Sequence, residues 1–284
     1  MTVLLDALRY LVYVLIFPGF LFCFLSGLLL CGIDRKLVAR MQKRVGPPVL
    51  QLFIPIRGFA AFSGTADVIV LLYLLLIPAL AGILGAAASG SPYAGVGLSR
   101  EMVTVIACEL PLVLVLLAIA KVVGDGIGSG LCFSLGAIAD YQVENGSLIC
   151  KASMIPAAIA FLMVIPGETG NHPFDAAEAE TEICEGMLAE YSGAPLAVYK
   201  LTHAIKVLTL TSLFVALFLG GVGVGIPAVD ALIVFALCIV ITAIFISLVH
   251  AVTARLKIEQ LFKYYWTVVS GLALVSLVLA WYGL

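Results

Sequence analysis

The stretch from Gly167 to Gly193 concentrates the acidic side chains of this chain. It reads GETGNHPFDAAEAETEICEGMLAEYSG, and it holds seven of the 17 acidic residues and no Lys or Arg. The seven are Glu168, Asp175, Glu178, Glu180, Glu182, Glu185 and Glu190. Carboxyl groups that share a poorly hydrated site raise one another's pKa values, so that they exchange protons near neutral pH. The pattern predicts a proton funnel or a docking surface for a basic partner subunit, and a solvated charged face is the alternative.

The spacing of acids within this stretch favours a helix. Glu178, Glu182 and Glu185 follow one another at steps of four and three residues, which are neighbouring positions on one helix face. We therefore expect these three carboxylates to point in a common direction.

A single carboxyl group lies deep in an apolar run. Glu109 stands in CELPLVLVLLA, eight residues after Glu101, which is about 12 Å along a helix. A charged side chain at that depth costs about 2.5 kcal/mol or more unless it is neutral, paired or hydrated. Pro111 removes a backbone donor nearby and can open the helix locally. These features predict a proton-path role for Glu109, with a protonated, hydrogen-bonded structural Glu as the alternative.

Three basic or titratable residues follow the acidic stretch at steps of three. They are Lys200, His203 and Lys206, within AVYKLTHAIKVL. Lys200 can extend its ammonium group to the membrane surface, whereas Lys206 lies about three turns into the span, where such extension is harder. The pattern predicts intramembrane pairing with a carboxylate or a proton relay. A purely structural ion pair is the alternative.

Composition indicates the kind of element that positions these residues. Mean hydropathy is +1.20 and only 11% of the residues are charged, values that a soluble domain of 284 residues does not reach. Apolar runs of roughly 20 residues are long enough to span a membrane. Seven such runs occur, at Leu4–Cys31, Ala66–Ala88, Met102–Ala120, Leu148–Pro166, Leu196–Gly220, Pro227–His250 and Tyr264–Tyr282. The predicted fold is an all-α polytopic membrane helix bundle, with residues 1–284 as a single membrane-embedded domain.

The distribution of Lys and Arg among short loops predicts the orientation. Asp34–Arg44, DRKLVARMQKR, has five basic residues, and Arg255, Lys257 and Lys263 mark a second basic loop. Both loops, and by counting back the acidic stretch, are predicted to be cytoplasmic. Seven spans cannot satisfy both ends of the chain. The chain therefore makes a further short or re-entrant crossing between residues 45 and 65, or one helix breaks the charge rule.

The spacing of the cysteines indicates a chain without its own redox centre. Seven Cys are scattered without a Cys-x-x-Cys pair, which is typical of small buried hydrophobic residues. We expect no iron–sulfur cluster, zinc ion or other cofactor in this chain.

The first apolar run, Leu4–Cys31, lacks a basic leading region and a cleavage pattern, so we expect it to be retained as a span. The net charge of −2 indicates no particular partner, and we expect no nucleic acid to bind.

Several of these stretches resemble one family. IDRKLVARMQKRVGPPVLQ, SREMVTVIACELPLVL and the acidic stretch are similar to the complex I membrane subunit that adjoins the quinone site, subunit 1 or H, from about Asp34 to Lys206. RVGPPVLQ, SGSPYAGVGLSREM and GETGNHPFD look more like energy-converting, membrane-bound (group 4) [NiFe]-hydrogenases. The respiratory pattern would place Arg at Asn171 and tends to place an acid at His203.

The resemblance implies a membrane anchor and ion-coupling subunit in a prokaryotic cytoplasmic membrane. Expected partners are a [NiFe]-hydrogenase large subunit, an iron–sulfur small subunit and an antiporter-like membrane subunit. The [NiFe] centre and iron–sulfur clusters would lie in those partners, and reduced ferredoxin would supply electrons for H2 formation, or the reverse, coupled to H+ or Na+ movement. This chain would contribute no catalytic residue.

The resemblance also implies roles for individual residues. Ion coupling is what it implies for Glu109, Glu168, Asp175, Glu178, Glu180, Glu182 and Glu185. The charge pattern and spacing, not the resemblance, extend the same expectation to Glu190, Lys200, His203 and Lys206. Arg40, Arg44 and Arg100 match basic positions of the family, and contacts with other subunits are expected of them and of Arg35, Pro173 and Phe174.

One departure and two alternatives accompany this interpretation. After GPPVLQ the family continues into an amphipathic helix and a further span, but here few residues separate Gln51 from the run that begins at Ala66. A quinone-site subunit of a complex I-type NADH/quinone oxidoreductase is one alternative. A stand-alone secondary transporter is the other, and it predicts two similar halves with broken helices at matching places.

Overall fold

The computed structural model describes residues 27, 29, 68–128, 130–221 and 227–283. Three predicted features lie outside this part of the chain. They are nearly all of the span Leu4–Cys31, the basic loop with Arg35, Arg40 and Arg44, and the crossing between residues 45 and 65.

Helices form the regular structure of the described residues, in which no strand occurs. In chain order they are α1 (Val68–Ser89), α2 (Pro92–Ile127), α3 (Leu135–Asn145), α4 (Ile155–Glu168), α5 (Glu180–Ile183), α6 (Ala194–Phe218), α7 (Pro227–Ile241), α8 (Val249–Val252), α9 (Ile258–Lys263) and α10 (Ser270–Trp281). Two π-helical stretches, Thr242–Leu248 and Tyr264–Val269, connect α7 to α8 and α9 to α10. The predicted all-α class is confirmed.

Five helical stretches of the described residues are long and apolar enough to cross a membrane. They are Val68–Ser89, Pro92–Ile127, Ala194–Phe218, Leu232–Val252 and Ile258–Trp281. Each overlaps a predicted span. The predicted span Leu148–Pro166 is a shorter apolar helix, Ala152–Glu168, because a 3₁₀ turn and the extended backbone of Lys151 replace its first residues. The chain is therefore a multi-pass membrane protein, and the count of seven spans stays a prediction.

Helix α2 lies at the centre of the described bundle, with α1, α4 and α10 packed against it. It begins well before the predicted span Met102–Ala120, because Pro92 at its first turn fixes a helical φ angle. Val115 and Ile119 are buried on this helix, and Pro111 lies inside it without ending it. One continuous helix therefore extends from Glu101 past Glu109 and holds both carboxyl groups.

The acidic stretch is largely non-helical, which corrects the common helix face expected for Glu178, Glu182 and Glu185. Helix α5 has only four residues. It ends because Cys184 and Glu185 adopt the left-handed backbone region, with φ angles of 50° and 66°. Glu178 precedes α5 and lies in contact with α6, whereas Glu182 contacts α2. Glu178 and Glu182 therefore point to different helices, and Glu185 lies beyond the end of α5.

Candidate functional site

A polar cavity lies where α1, α2, α4 and α6 meet the acidic stretch, and we call it the acidic cavity. Its volume is about 50 Å³, and since one water needs roughly 10–15 Å³, it has room for a few water molecules. The carboxyl, imidazole and ammonium groups that line it belong to Glu101, Glu168, Asp175, Glu178, His203 and Lys206. The site therefore combines several proton-binding groups with space for water between them.

An ion pair inside this cavity joins α4 to α6. Glu168, the last residue of α4, places its Oε2 atom 3.0 Å from Nζ of Lys206, and each side chain is only 12% exposed. Two charges in a poorly hydrated site depend on each other, because removing one leaves the desolvation cost of the other uncompensated. Lys206 therefore holds Glu168 at the junction of the two helices.

Glu178 extends from the acidic stretch to α6. The hydroxyl group of Tyr199 donates a hydrogen bond to Oε1 of Glu178 at 2.9 Å. Burial raises the pKa of Glu178 above its usual value of 4.5, the nearby carboxylates of Asp175 and Glu185 add to this rise, and the Tyr199 hydrogen bond opposes it. Glu178 therefore keeps its proton at a higher pH than an exposed carboxyl group does.

The raised pKa of Glu178 predicts a pH-dependent stability. The folded state binds this proton more tightly than the unfolded state, so stability falls as pH rises from 4.5 through the raised pKa. Glu178→Gln removes the titratable group at this position. The melting temperature of the variant complex should therefore fall by less than that of wild type when the pH is raised from about 5 to about 8. Thermal unfolding at the two pH values measures the difference, with Glu190→Gln in the same stretch as the exposed control. Equal losses in wild type and Glu178→Gln would contradict the prediction.

Asp175 lines the acidic cavity with its charge already paired. Its Oδ2 atom lies 2.8 Å from Nη2 of Arg255 and 3.2 Å from Nε2 of His172. Arg255 also donates a hydrogen bond from Nη1 to Oγ1 of Thr181 at 2.7 Å. Sequence reasoning used Arg255 only to orient the chain, and the structure places it against the acidic stretch.

Arg100 fastens the other side of the acidic stretch to α2. Its Nη1 atom lies 2.7 Å from Oε2 of Glu182 and donates to the carbonyl oxygen of Ala176 at 3.2 Å. Because the Glu182 side chain is 54% exposed, this ion pair contributes only about 0–1 kcal/mol. A role for Arg100 in contacts with another subunit stays a prediction.

A second cavity of about 310 Å³ lies between α1, α2 and α6 and is lined mostly by Leu side chains. We call it the apolar cavity. Two carboxyl groups line it, Glu109 from α2 and Glu168 from α4. Because Glu168 also lines the acidic cavity, it is shared by both.

Polar residues of α6 line the acidic cavity in a regular pattern. They are Tyr199, Thr202, His203 and Lys206, which follow the i, i+3, i+4, i+7 spacing of one helix face. The predicted set moved by steps of three, and each such step drifts about 60° around a helix. Lys200 accordingly lies on an exposed face. Sequence reasoning missed Tyr199 and Thr202, and this spacing is the signal that identifies them.

Glu101 is another residue of the acidic cavity that sequence reasoning missed. It served only to measure the depth of Glu109, yet its side chain lines the cavity together with Glu168 and Glu178. The available signal was a second acid on the helix that carries Glu109, at the end nearer to the acidic stretch.

Among the other predicted residues that the structure describes, Phe174 lines the acidic cavity and the rest lie outside both cavities. Exposed side chains are those of Glu182, Glu190 and Lys200, and that of Glu185 is half-buried. The side chain of Glu180 lies outside the part of the chain that the structure describes. Pro173 and Phe174, predicted for contacts with other subunits, are buried. Phe174 stacks on Tyr264 with ring centroids 5.6 Å apart, so it packs within the bundle.

The fold and the site define a class before any relative is considered: a multi-pass helical membrane protein with buried carboxylates at the junction of its spans and a surface segment. Comparison with known proteins gives the family. The chain belongs to the NADH dehydrogenase family, whose model matches residues 48–281. It is a membrane subunit of the complex I-like type.

Two curated relatives come from different kinds of complex. Over 170 residues the chain is 39% identical to Hydrogenase-4 component C of Escherichia coli (strain K12), covering 60% of this chain and 50% of that protein. Over 208 residues it is 34% identical to NADH-quinone oxidoreductase subunit 8 of Thermus thermophilus, covering 72% and 54%. The chain thus matches about half the length of these two curated relatives.

A solved structure shows the same fold. One chain in the structure of the membrane-bound sulfane sulfur reductase (MBS), an archaeal respiratory membrane complex, is similar with a TM-score of 0.81 and 27% identity. The similarity covers 96% of this chain and 98% of that chain.

Proposed function

We propose that this chain is the membrane anchor and ion-coupling subunit of an energy-converting [NiFe]-hydrogenase complex. The 39% identity to Hydrogenase-4 component C supports the hydrogenase branch. The proposed layout has seven spans and a short or re-entrant crossing between residues 45 and 65, which the Lys and Arg distribution of the loops favours over one helix that breaks the charge rule.

The position of Glu168 is the observation on which this proposal depends. Glu168 lines both cavities and pairs with Lys206 at 3.0 Å. A proton taken up at Glu178 or Glu101 passes in this proposal to the Glu168–Lys206 pair and then toward Glu109. All four carboxyl groups are partly buried, and carboxyl groups withdrawn from water next to water-sized space are the groups that proton pathways in membranes use.

The acidic stretch would connect this path to electron transfer in partner subunits. In the proposed complex the [NiFe] large subunit and the iron–sulfur small subunit rest on the stretch, and an antiporter-like subunit lies beside the bundle. A change of charge in those subunits acts strongly on Glu178, because water screens a buried carboxyl group only weakly. Electrons from reduced ferredoxin would thereby drive H+ or Na+ movement. All cofactors are proposed for the partners; the described residues include no group of three His, Cys, Asp or Glu side chains arranged to hold a metal ion.

The replacement Glu109→Gln tests the proposal. It removes one of the two carboxyl groups that line the apolar cavity and keeps the shape of the side chain. We expect ferredoxin-driven ion transport in inverted membrane vesicles to be abolished while the complex assembles with all its subunits.

The matched control for Glu109 is Glu259→Gln, which makes the same chemical change at an exposed position of α9. It should leave transport at the wild-type level. Wild-type transport in the Glu109→Gln complex would reject Glu109 as a carrier and with it the proposed path.

A quinone-site subunit is the second candidate function. The match to NADH-quinone oxidoreductase subunit 8 over 72% of the chain favours it. Quinone bound to the purified complex, or quinone-dependent electron transfer by it, would support this candidate. A co-purifying large subunit with two Cys-x-x-Cys pairs that ligate nickel would instead support the hydrogenase.

A further inference from the structure

Arg255 joins two segments that are far apart in the chain. It lies in the loop between α8 and α9, and its guanidinium group contacts three residues of the acidic stretch. Nη2 is 2.8 Å from Oδ2 of Asp175, Nη1 donates to Oγ1 of Thr181 at 2.7 Å, and Nε donates to Nδ1 of His172 at 3.4 Å. These contacts extend from the residue before Pro173 to the second residue of α5.

Two more contacts, one from the same loop and one from α8, dock this part of the chain on the same stretch. The amide N–H of Leu256 donates to the carbonyl oxygen of Pro173 at 3.1 Å. The ring of His250 stacks on that of His172 with centroids 4.6 Å apart. The ion pair of Arg255 is therefore flanked by a backbone hydrogen bond and an aromatic contact between the same two parts of the chain.

Burial makes the loss of either partner of the Asp175–Arg255 ion pair costly. The side chains are 9% and 23% exposed, and Oδ1 of Asp175 is buried without a hydrogen-bond partner among the described residues. A buried carboxylate with one oxygen already unpaired depends on the cation at its other oxygen. Because Asp175 lines the acidic cavity beside Glu178, an unbalanced charge there would act on the other carboxyl groups of the cavity.

We propose that Arg255 is a positioning residue that holds the acidic stretch against the acidic cavity through Asp175. Asp175 is then a fixed anchor with a permanent partner, a role that differs from the ion-coupling one implied by the family resemblance. Glu178, three residues further on, is placed against Tyr199 because this anchor and the Arg100 contact fix the stretch on two sides. The inference rests on the proposed function, since positioning matters for transport only if the cavity handles protons.

Hydrogen exchange in the purified complex measures the anchor directly. The amides of Glu178, Glu182 and Ile183 form hydrogen bonds within the stretch. Arg255→Ala should accelerate exchange of these amides by roughly 10-fold or more, because breaking a buried ion pair exposes the segment to local opening. Lys263→Ala removes an exposed positive charge close by in the chain and should leave exchange unchanged.

A double-mutant cycle tests whether Arg255 acts through Asp175. Asp175→Asn should accelerate exchange as Arg255→Ala does, and the double variant should be no worse than the stronger single variant. Arg255→Lys keeps the charge and loses the planar fork of donors, so its effect should be intermediate. If the exchange rate of the double variant rose by the product of the two single-variant factors, the two residues would have independent roles and the proposal would be overturned.

Transport completes the test. Ferredoxin-driven transport by the Arg255→Ala complex should fall by roughly 10-fold, as expected when proton-handling groups are misplaced. Unchanged exchange in Arg255→Ala would overturn the anchor, and faster exchange with full transport would overturn the positioning role. The proposed function itself is judged separately by Glu109→Gln, whose result leaves the exchange measurement valid.

Discussion

Replacing Lys206 by Met should stop ion transport by the complex and lower its melting temperature. Lys206 and Glu168 are each 12% exposed and 3.0 Å apart. Met fills a similar volume but leaves the Glu168 carboxylate without a counter-charge in a poorly hydrated site. Breaking such a pair on one side costs about 3–5 kcal/mol. Thermal unfolding of the purified complex and transport in inverted vesicles measure the two effects.

Two further variants separate a relay from a merely structural ion pair. Combining Lys206→Met with Glu168→Gln removes both charges, so stability should recover toward wild type. Transport should stay lost, because Gln at position 168 cannot bind and release a proton. Recovery of transport in the double variant would identify the pair as structural. Lys200→Met, on an exposed face of the same helix, should leave both measurements unchanged.

The spans of this protein can be predicted from composition because the membrane interior restricts which backbone structures can cross it. A run of roughly 20 apolar residues must form a helix, since lipid satisfies no backbone hydrogen bond. Five of the predicted runs accordingly overlap helices long enough to cross. The run Leu148–Pro166 is helical only in its later part, because the extended backbone at Lys151, to which hydropathy is insensitive, delays the start of the helix.

The acidic stretch shows where periodicity fails. Its acids have helical spacing, but tertiary contacts determine its path. Gly186 has a φ angle of 52°, and a Cβ atom there would lie 2.1 Å from the carbonyl oxygen of Ala177. The backbone therefore doubles back on itself after α5, and no pattern of charges reports such an approach.

The membership of the site was predictable only in part. Glu168, Asp175, Glu178, His203 and Lys206 were predicted and line one cavity. The pairs that organise them join distant positions, such as Arg255 with Asp175 and Lys206 with Glu168. A single sequence contains no information on such contacts, because they depend on how the helices pack.

Replacing Gly97 by Ala should displace the acidic stretch from α2 and impair transport. A Cβ atom at position 97 would lie 2.7 Å from the amide nitrogen of Met187 and 3.0 Å from the carbonyl oxygen of Ala177. These are backbone atoms, so no side-chain rotation relieves the clash and the stretch itself must move. Overpacking of this kind costs about 1–3 kcal/mol. Because Ala177 and Glu178 belong to the wall of the acidic cavity, we expect a lower melting temperature together with reduced transport.

Gly95, on the same helix, provides the matched control. A Cβ atom there meets no atom of the described residues within 4 Å, and Ala is favoured over Gly within a helix by roughly 0.5–1 kcal/mol. Gly95→Ala should therefore preserve or raise the melting temperature and leave transport intact. A Gly97→Ala complex that melts and transports like wild type would show that the stretch can move away from α2 at no cost. The position of Glu178 would then not depend on this backbone contact, and the Tyr199 hydrogen bond together with the two arginine contacts would have to fix it.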